Sequence, residues 1–250
     1  LTAAQSYYIL SFAKPDSARI PHLHFSPKLH KSPIGSRPLL GAHSSPTTGA
    51  SKFLGVWLRH LLSRHIRDHE ERNISHPVLL NSTSLLSRLT RLPLPDDCVL
   101  VTFDIESLYP SLPFQLISDS LEWFLSLPIS TSRCSPKFRQ LLISLAKFVL
   151  NHCYGHFDGC YYKQVSGLAM GTNAAVELAT IAVLFLESQP HVDNSLRRLT
   201  LLYGRYIDDG LAILPGPAQV QEFQQLISAL RPGVLRFTWH VSHKTADFLD

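Results

Sequence analysis

"LTLLYGRYIDDGLAIL", residues 199–214, is the stretch on which the reading of the chain turns. Two β-rich apolar runs flank Asp208, Asp209 and Gly210, the pattern of a hairpin with the carboxylates at its tip. Adjacent anions held between strands that look buried repel one another unless a cation lies between them. A divalent ion is the simplest remedy, and Mg2+ prefers a few carboxylates plus phosphate and water oxygens to a full protein cage. Plain turn chemistry is the competing explanation, because Asp and Gly favour tight turns without any metal.

A two-ion site needs a third carboxylate from elsewhere in the sheet. "CVLVTFDI" reads as a strand from Val99 to Ile105, and Asp104 lies near its end. If that strand pairs beside the hairpin, Asp104, Asp208 and Asp209 can share two ions about 3.5–4 Å apart. Such ions, Mg2+ or Mn2+, would lower the pKa of a primer 3′-hydroxyl and neutralise charge growing on a leaving pyrophosphate. Glu106 is expected on the opposite face by strand alternation and is left out of the set.

Working outward, residues 14–50 are rich in Pro, Ser, Gly and His, with short β-like pieces. An amphipathic helix follows, with Phe53, Leu54, Trp57, Leu58, Leu61, Leu62 and His65 at three-four spacing. Short helices are expected at 83–92, 114–126, 136–151 and 217–230, and a last strand at 234–242. "HFDGCYYKQV" (156–165) predicts a second hairpin turning at Asp158-Gly159, a pair that accepts positive φ. "TNAAVELATIAVLFLES" (172–188) predicts a helix capped by Thr172 or Asn173 and apolar nearly all round, hence buried. Antiparallel hairpins interleaved with helices make an α+β fold with helices against one face of the sheet.

At 250 residues and 45% hydrophobic content the chain can build a substantial core. The net charge of +4 is unevenly spread: the first 75 residues hold ten Lys/Arg and four Asp/Glu, which leaves the remainder slightly acidic. An uneven basic surface suits phosphates. Four cysteines do not make a disulfide scaffold, and no apolar run reaches membrane-spanning length. "LTAAQSYYIL" lacks the basic start of a signal peptide, and the chain reads as a piece of something longer.

Three stretches, in order, resemble the motifs of reverse transcriptases: "FDIESLYPSLP" (103–113), "SGLAMGTNAA" (166–175) and "RYIDDGLAIL" (205–214). Upstream, "FSPKLHK" and "SRPLL" resemble the fingers segment, and "ADFLD" (246–250) resembles the element that follows the palm. The finer likeness is to Penelope-like retroelements. The resemblance implies a right-hand polymerase fold, with fingers over residues 1–98 and an antiparallel palm sheet backed by helices over 99–250. Residues 114–165 would be an insertion contributing to the fingers, and no thumb is visible.

It further implies an RNA-directed DNA polymerase of a retroelement, acting inside the cell and in the nucleus. Its partners would be an RNA template, a DNA primer duplex and dNTPs, with thumb and endonuclease modules elsewhere in the full-length protein. Asp104, Asp208 and Asp209 take the metal-binding catalytic roles. Lys28 and Arg37 meet the triphosphate, with Lys31 as a weaker candidate. Tyr109 packs under the sugar and excludes a 2′-hydroxyl, Met170 lines the templating-base pocket, and Gly167 and Gly171 allow close backbone approach. The sequence departs from the pattern at "AMGTNAAVE", where many relatives carry Ser-Pro after the Gly. The alternatives are an inactive nucleic-acid-binding remnant and an RNA-templated RNA polymerase. A zinc reading of "HCYGHFDGC", with Cys153, His156, Cys160 and His152, is outweighed by the hairpin.

Overall fold

The computed structural model describes residues 3, 6–7, 18–28, 35–41, 44–72 and 74–249. The chain divides into two compact units, one of residues 1–61 and 109–179, the other of 62–108 and 180–250. No helix among the described residues is long and apolar enough to cross a membrane.

In the first unit, β1 (Leu23–Lys28) and β2 (Gly35–Leu40) pair antiparallel. Helix α1 (Thr48–Glu71) begins in this unit and ends in the other. It starts ahead of the apolar stripe that opens at Phe53 and ends, as the sequence suggests, in the charged stretch "RDHEER" (67–72). Along the chain come the strand β3 (Val99–Ile105) and the short helix α3 (Leu108–Ser111), then α4 (Phe114–Ser126), α5 (Pro128–Arg133) and α6 (Pro136–Asn151). The bounds of α4 and α6 match the sequence reading. Ser135 caps α6 by accepting from Phe138 N at 3.3 Å, and Pro136 fills its first turn, where a missing N–H costs nothing. Phe138 of α6 packs edge-on against Trp57 and Phe53 of α1.

The second hairpin forms as expected from β4 (Tyr154–Phe157) and β5 (Cys160–Lys163). Asp158 and Gly159 both take positive φ, 47° and 76°. His156 N reaches Pro21 O at 2.9 Å, so this hairpin leans on the chain entering β1. At the start of the apolar helix α7 (Ala175–Glu187), the N–H of Ala174 goes to Ser51 Oγ of α1 at 3.2 Å. That partner is distant in sequence, and the helix begins at Ala175, past the Thr172 or Asn173 expected to cap it.

The second unit is built on one four-stranded antiparallel sheet. Helix α2 (Ser82–Leu89) comes first, started by an Asn81–Ser84 capping box. Then β3 (Val99–Ile105) runs through the middle of the sheet, and α3 (Leu108–Ser111) follows it into the first unit. Past the end of α7 lie α8 (Pro190–Leu199), β6 (Leu202–Tyr206), β7 (Asp209–Leu214), α9 (Val220–Ser228) and β8 (Phe237–Ser242). The strand order is β6-β7-β3-β8. Among the described residues, three short helices escaped the sequence reading: α3, α5 and α8.

Register sorts the side chains onto two faces, because alternation is strict in paired strands. Val101, Phe103, Ala212, Tyr203 and Trp239 share one face, and Phe223 of α9 packs beneath its Tyr203 and Trp239 rings. Leu100, Thr102, Asp104, Asp209, Leu211 and Ile213 share the other. There α2 covers one end, its Leu85 and Leu89 against Leu202, Leu211 and Ile213, and Phe248 joins the same cluster.

Gly210 shows why the residue after the paired carboxylates is glycine. The sequence suggested turn chemistry, yet Gly210 lies within β7, and no positive φ falls on it. Its missing Cβ leaves room for a ring: a Cβ there would sit 2.0 Å from Phe103 Cζ. Gly210→Ala is therefore expected to cost about 1–3 kcal/mol by overpacking, read by urea unfolding. An unchanged midpoint would mean that Phe103 moves aside freely.

Candidate active site

The sheet register brings Asp104 opposite Asp209 on neighbouring antiparallel strands. Ile105 N donates to Asp208 O at 3.0 Å. That bond belongs to the adjacent position of the ladder, so Asp104 and Asp209 form the non-hydrogen-bonded kind of pair. In such pairs the Cα atoms are about 4.5 Å apart and the side chains rise together from one face. Asp208 occupies the turn itself. All three are half-buried, and all three lie in the second unit.

The turn is strained. Ile207, not glycine, takes φ 57°, a region that costs a β-branched residue about 1–2 kcal/mol. What holds it is Arg205, whose Nη1 donates to Ile207 O at 2.6 Å. Arg205 is fully buried in turn by Glu187 at the end of α7, with Nε to Oε1 at 2.7 Å and Nη2 to Oε2 at 2.8 Å. Tyr203 Oη donates to the same Oε1 at 2.7 Å. Burial works to lower the pKa of the Arg205 guanidinium, but the Glu187 carboxylate more than offsets it, with Tyr203 and Asp208 adding, and the net shift is upward. The charge of Asp208 is thus felt by the group that clamps its own turn.

A groove of about 340 Å3 opens over the Asp104 face, lined by Asp104, Asp209, Thr238, His240, Asp247 and Phe248, among others. Asp247 is a further carboxylate that the sequence reading did not single out, although it lies in "ADFLD". Glu106 corrects an expectation. Residues two apart in a strand share a face, and the ladder continues past Ile105, with Glu106 N bonded to Arg236 O at 2.9 Å. Thr238, opposite Asp104, donates to Glu106 Oε1 at 2.8 Å. Glu106 therefore stands on the side of Asp104, not opposite it. The carboxylates that line the groove are Asp104, Asp209 and Asp247, with Asp208 in the adjacent turn; they are hard oxygen donors of the kind Mg2+ or Mn2+ takes together with water and phosphate.

The remaining predicted residues belong to the first unit. Arg37 is exposed on β2, opposite Ser26. Lys28 ends β1 opposite Gly35; its side chain, like the whole of Lys31, lies outside the described residues. Tyr109, in α3, accepts from Leu168 N at 2.7 Å, and Leu112 O accepts from Gly167 N at 3.0 Å. Gly167, at φ 81°, presses so closely on Pro110 that a Cβ would meet its Cα at 2.7 Å. The "SGLAMG" loop is thereby locked onto the "LYPSL" turn. Met170 O accepts from Leu40 N at 2.8 Å, tying that loop to β2 next to Gly171. Met170 also lines an apolar cavity of about 230 Å3 with Pro38, Leu40, Pro110 and Leu168. Cys153, set aside as a zinc ligand, donates to Gln164 Oε1 at 3.3 Å, and burial pushes its thiol up to about 11.

No protein-family model matches the chain, and no curated protein does. Solved structures do. Apo telomerase from Candida tropicalis is 11% identical, with a TM-score of 0.66 over 95% of this chain and 48% of its own. Its form truncated from the C-terminal domain is 10% identical, with a TM-score of 0.63 over 97% and 55% respectively. The RNA-dependent RNA polymerase of a human picobirnavirus is 14% identical, with a TM-score of 0.60 over 90% and 41%. The chain thus spans about half or less of the length of these proteins. The fold is that of right-hand polymerases.

Proposed function

We propose that the chain is the fingers and palm of an RNA-directed DNA polymerase from a retroelement, extending a primer 3′-hydroxyl with dNTPs. The observation that carries this is the cross-strand pair Asp104–Asp209 beside the clamped Asp208 turn, on the floor of an open groove. Asp104, Asp208 and Asp209 would hold two divalent ions. Bound there, the ions would lower the pKa of the attacking hydroxyl and offset charge on the leaving pyrophosphate. The protein's own part is positioning: the ladder fixes Asp104 against Asp209, and Arg205 fixes the turn that carries Asp208.

Template and primer would bind through their sugar–phosphate backbones, with affinity that falls as salt rises. Arg37 would take the triphosphate through a planar fork, with Lys28 as a point charge. Viral RNA polymerases share this fold at a similar TM-score, so sugar choice separates the two chemistries. Tyr109 supports deoxyribose: a ring under the sugar collides with a 2′-hydroxyl.

The test is primer extension on an RNA template with Mg2+ by the full-length protein, comparing dNTPs with NTPs. Extension with dNTPs is expected, and Tyr109→Ala should narrow the preference for them by at least about tenfold, roughly 1.4 kcal/mol of lost discrimination. A wild-type preference for NTPs would favour an RNA polymerase. Template binding with no extension of either kind would favour an inactive remnant.

A further inference from the structure

We propose that His65, His69 and His76 form a transition-metal site, suited to Zn2+, that ties the end of α1 to the segment running beside β6. It is separate in chemistry from the carboxylates and independent of the polymerase reading. Among the described residues these three are the cluster whose ligand atoms all lie within 4.8 Å of one another. Their ring centroids are 4.4, 5.1 and 5.0 Å apart. Nitrogens on a tetrahedral Zn2+ lie about 3.4 Å from each other, so small ring rotations close the site.

His65 and His69 stand one helical turn apart on the same face of α1. His69 Nδ1 lies 2.9 Å from His65 O. A ring nitrogen so close to a carbonyl carries the proton, which leaves the Nε2 lone pair as the ligand. His76 is 1% exposed, and its Nε2 is buried with no hydrogen-bond partner. An orphaned buried polar atom is costly, and a metal would satisfy it once the ring proton moves from Nε2 to Nδ1, which accepts from Val78 N at 3.0 Å and lies 3.4 Å from Val78 O. Burial, and then His69, hold His65 at about 4, and burial, then His65 and His69, hold His76 well below its ordinary value.

Three imidazoles favour Zn2+, Cu2+ or Ni2+ over Mg2+. The fourth position would be water, reached past the half-buried His65 and His69. The consequence is mechanical. His76 opens a segment that runs parallel to β6 at Val78–Arg205, with Arg205 N on Pro77 O at 2.7 Å and Leu79 N on Arg205 O at 2.8 Å. Arg88 Nη1 holds His76 O at 2.7 Å. A metal at the three rings would anchor that segment to the helix.

The experiment uses the 250-residue chain, stripped with chelator and titrated with Zn2+ or Co2+ at pH 7.5. One equivalent of Co2+ is expected to give the visible bands of a tetrahedral nitrogen-ligated ion, and Zn2+ should raise the melting temperature. His69→Gln should weaken binding by about 100-fold or more with unchanged circular dichroism, and His65→Gln should do the same. His156→Gln, which removes the separate His22–His156 pair 3.3 Å apart, should leave binding intact. Absence of the tetrahedral Co2+ spectrum in the unsubstituted chain overturns the proposal. So does equal Zn2+ affinity in the unsubstituted chain and both His65→Gln and His69→Gln.

Discussion

Asp208→Asn is expected to cut primer extension by at least about 10³-fold, the loss of roughly 4 kcal/mol of transition-state stabilisation if its carboxylate helps hold the proposed ions. Asp104→Asn should do as much, because its carboxylate rises from the same face as that of Asp209 in a close cross-strand pair. Stability should not suffer. Removing one of several neighbouring negative charges relieves repulsion, so the unfolding midpoint should hold or rise slightly while activity is lost. That opposition distinguishes a chemical role from a structural one. Full activity in Asp208→Asn would refute the metal assignment. Equal loss of activity and of folded protein would show that the turn, and not the ions, had been measured.

The second large effect lies beneath the sheet. Glu187→Gln leaves the Arg205 guanidinium buried without its counter-charge and strips Tyr203 Oη of its carboxylate acceptor. Removing one partner of such a buried pair costs about 3–5 kcal/mol. The melting temperature should fall by roughly 10 °C. Joint replacement of Glu187 by Leu, Arg205 by Met and Tyr203 by Phe should recover most of that stability, because well-packed apolar groups often equal a buried ion pair. It should not recover polymerisation, since the clamp on Ile207 O is gone. A single-variant cost under about 1 kcal/mol would place the pair among exposed ones and contradict its burial.

Much of this architecture was legible in the sequence, for local reasons. Val99–Ile105 is a β-rich run closed off by "PLPDD" before it, and Phe114–Ser126 and Pro136–Asn151 begin at a proline boundary or a serine cap. Helix α8 was not read, although Val192, Leu196 and Leu199 are buried at helical spacing, because three apolar positions among polar ones make a faint stripe. That Asp104, Asp208 and Asp209 lie at strand ends was legible, but their register was not. Nothing local says that Asp104 pairs with Asp209 and leaves Asp208 in the turn. Arg205 was visible only as a charge in an apolar strand, and its partner Glu187 only as the end of an apolar helix; their meeting is tertiary. His65 was placed in the apolar stripe of α1, and only the return of the chain at His76 makes it part of a cluster.

Ile207 sits in a backbone conformation it would leave if released, and a guanidinium anchored to an acid on another helix keeps it there. The proposed carboxylate site is therefore vulnerable at positions buried away from the groove. Under the proposed function, a copy of this gene retaining every aspartate but losing residue 187 or 205 is expected to be inert, silenced from underneath the sheet and not from within the cleft.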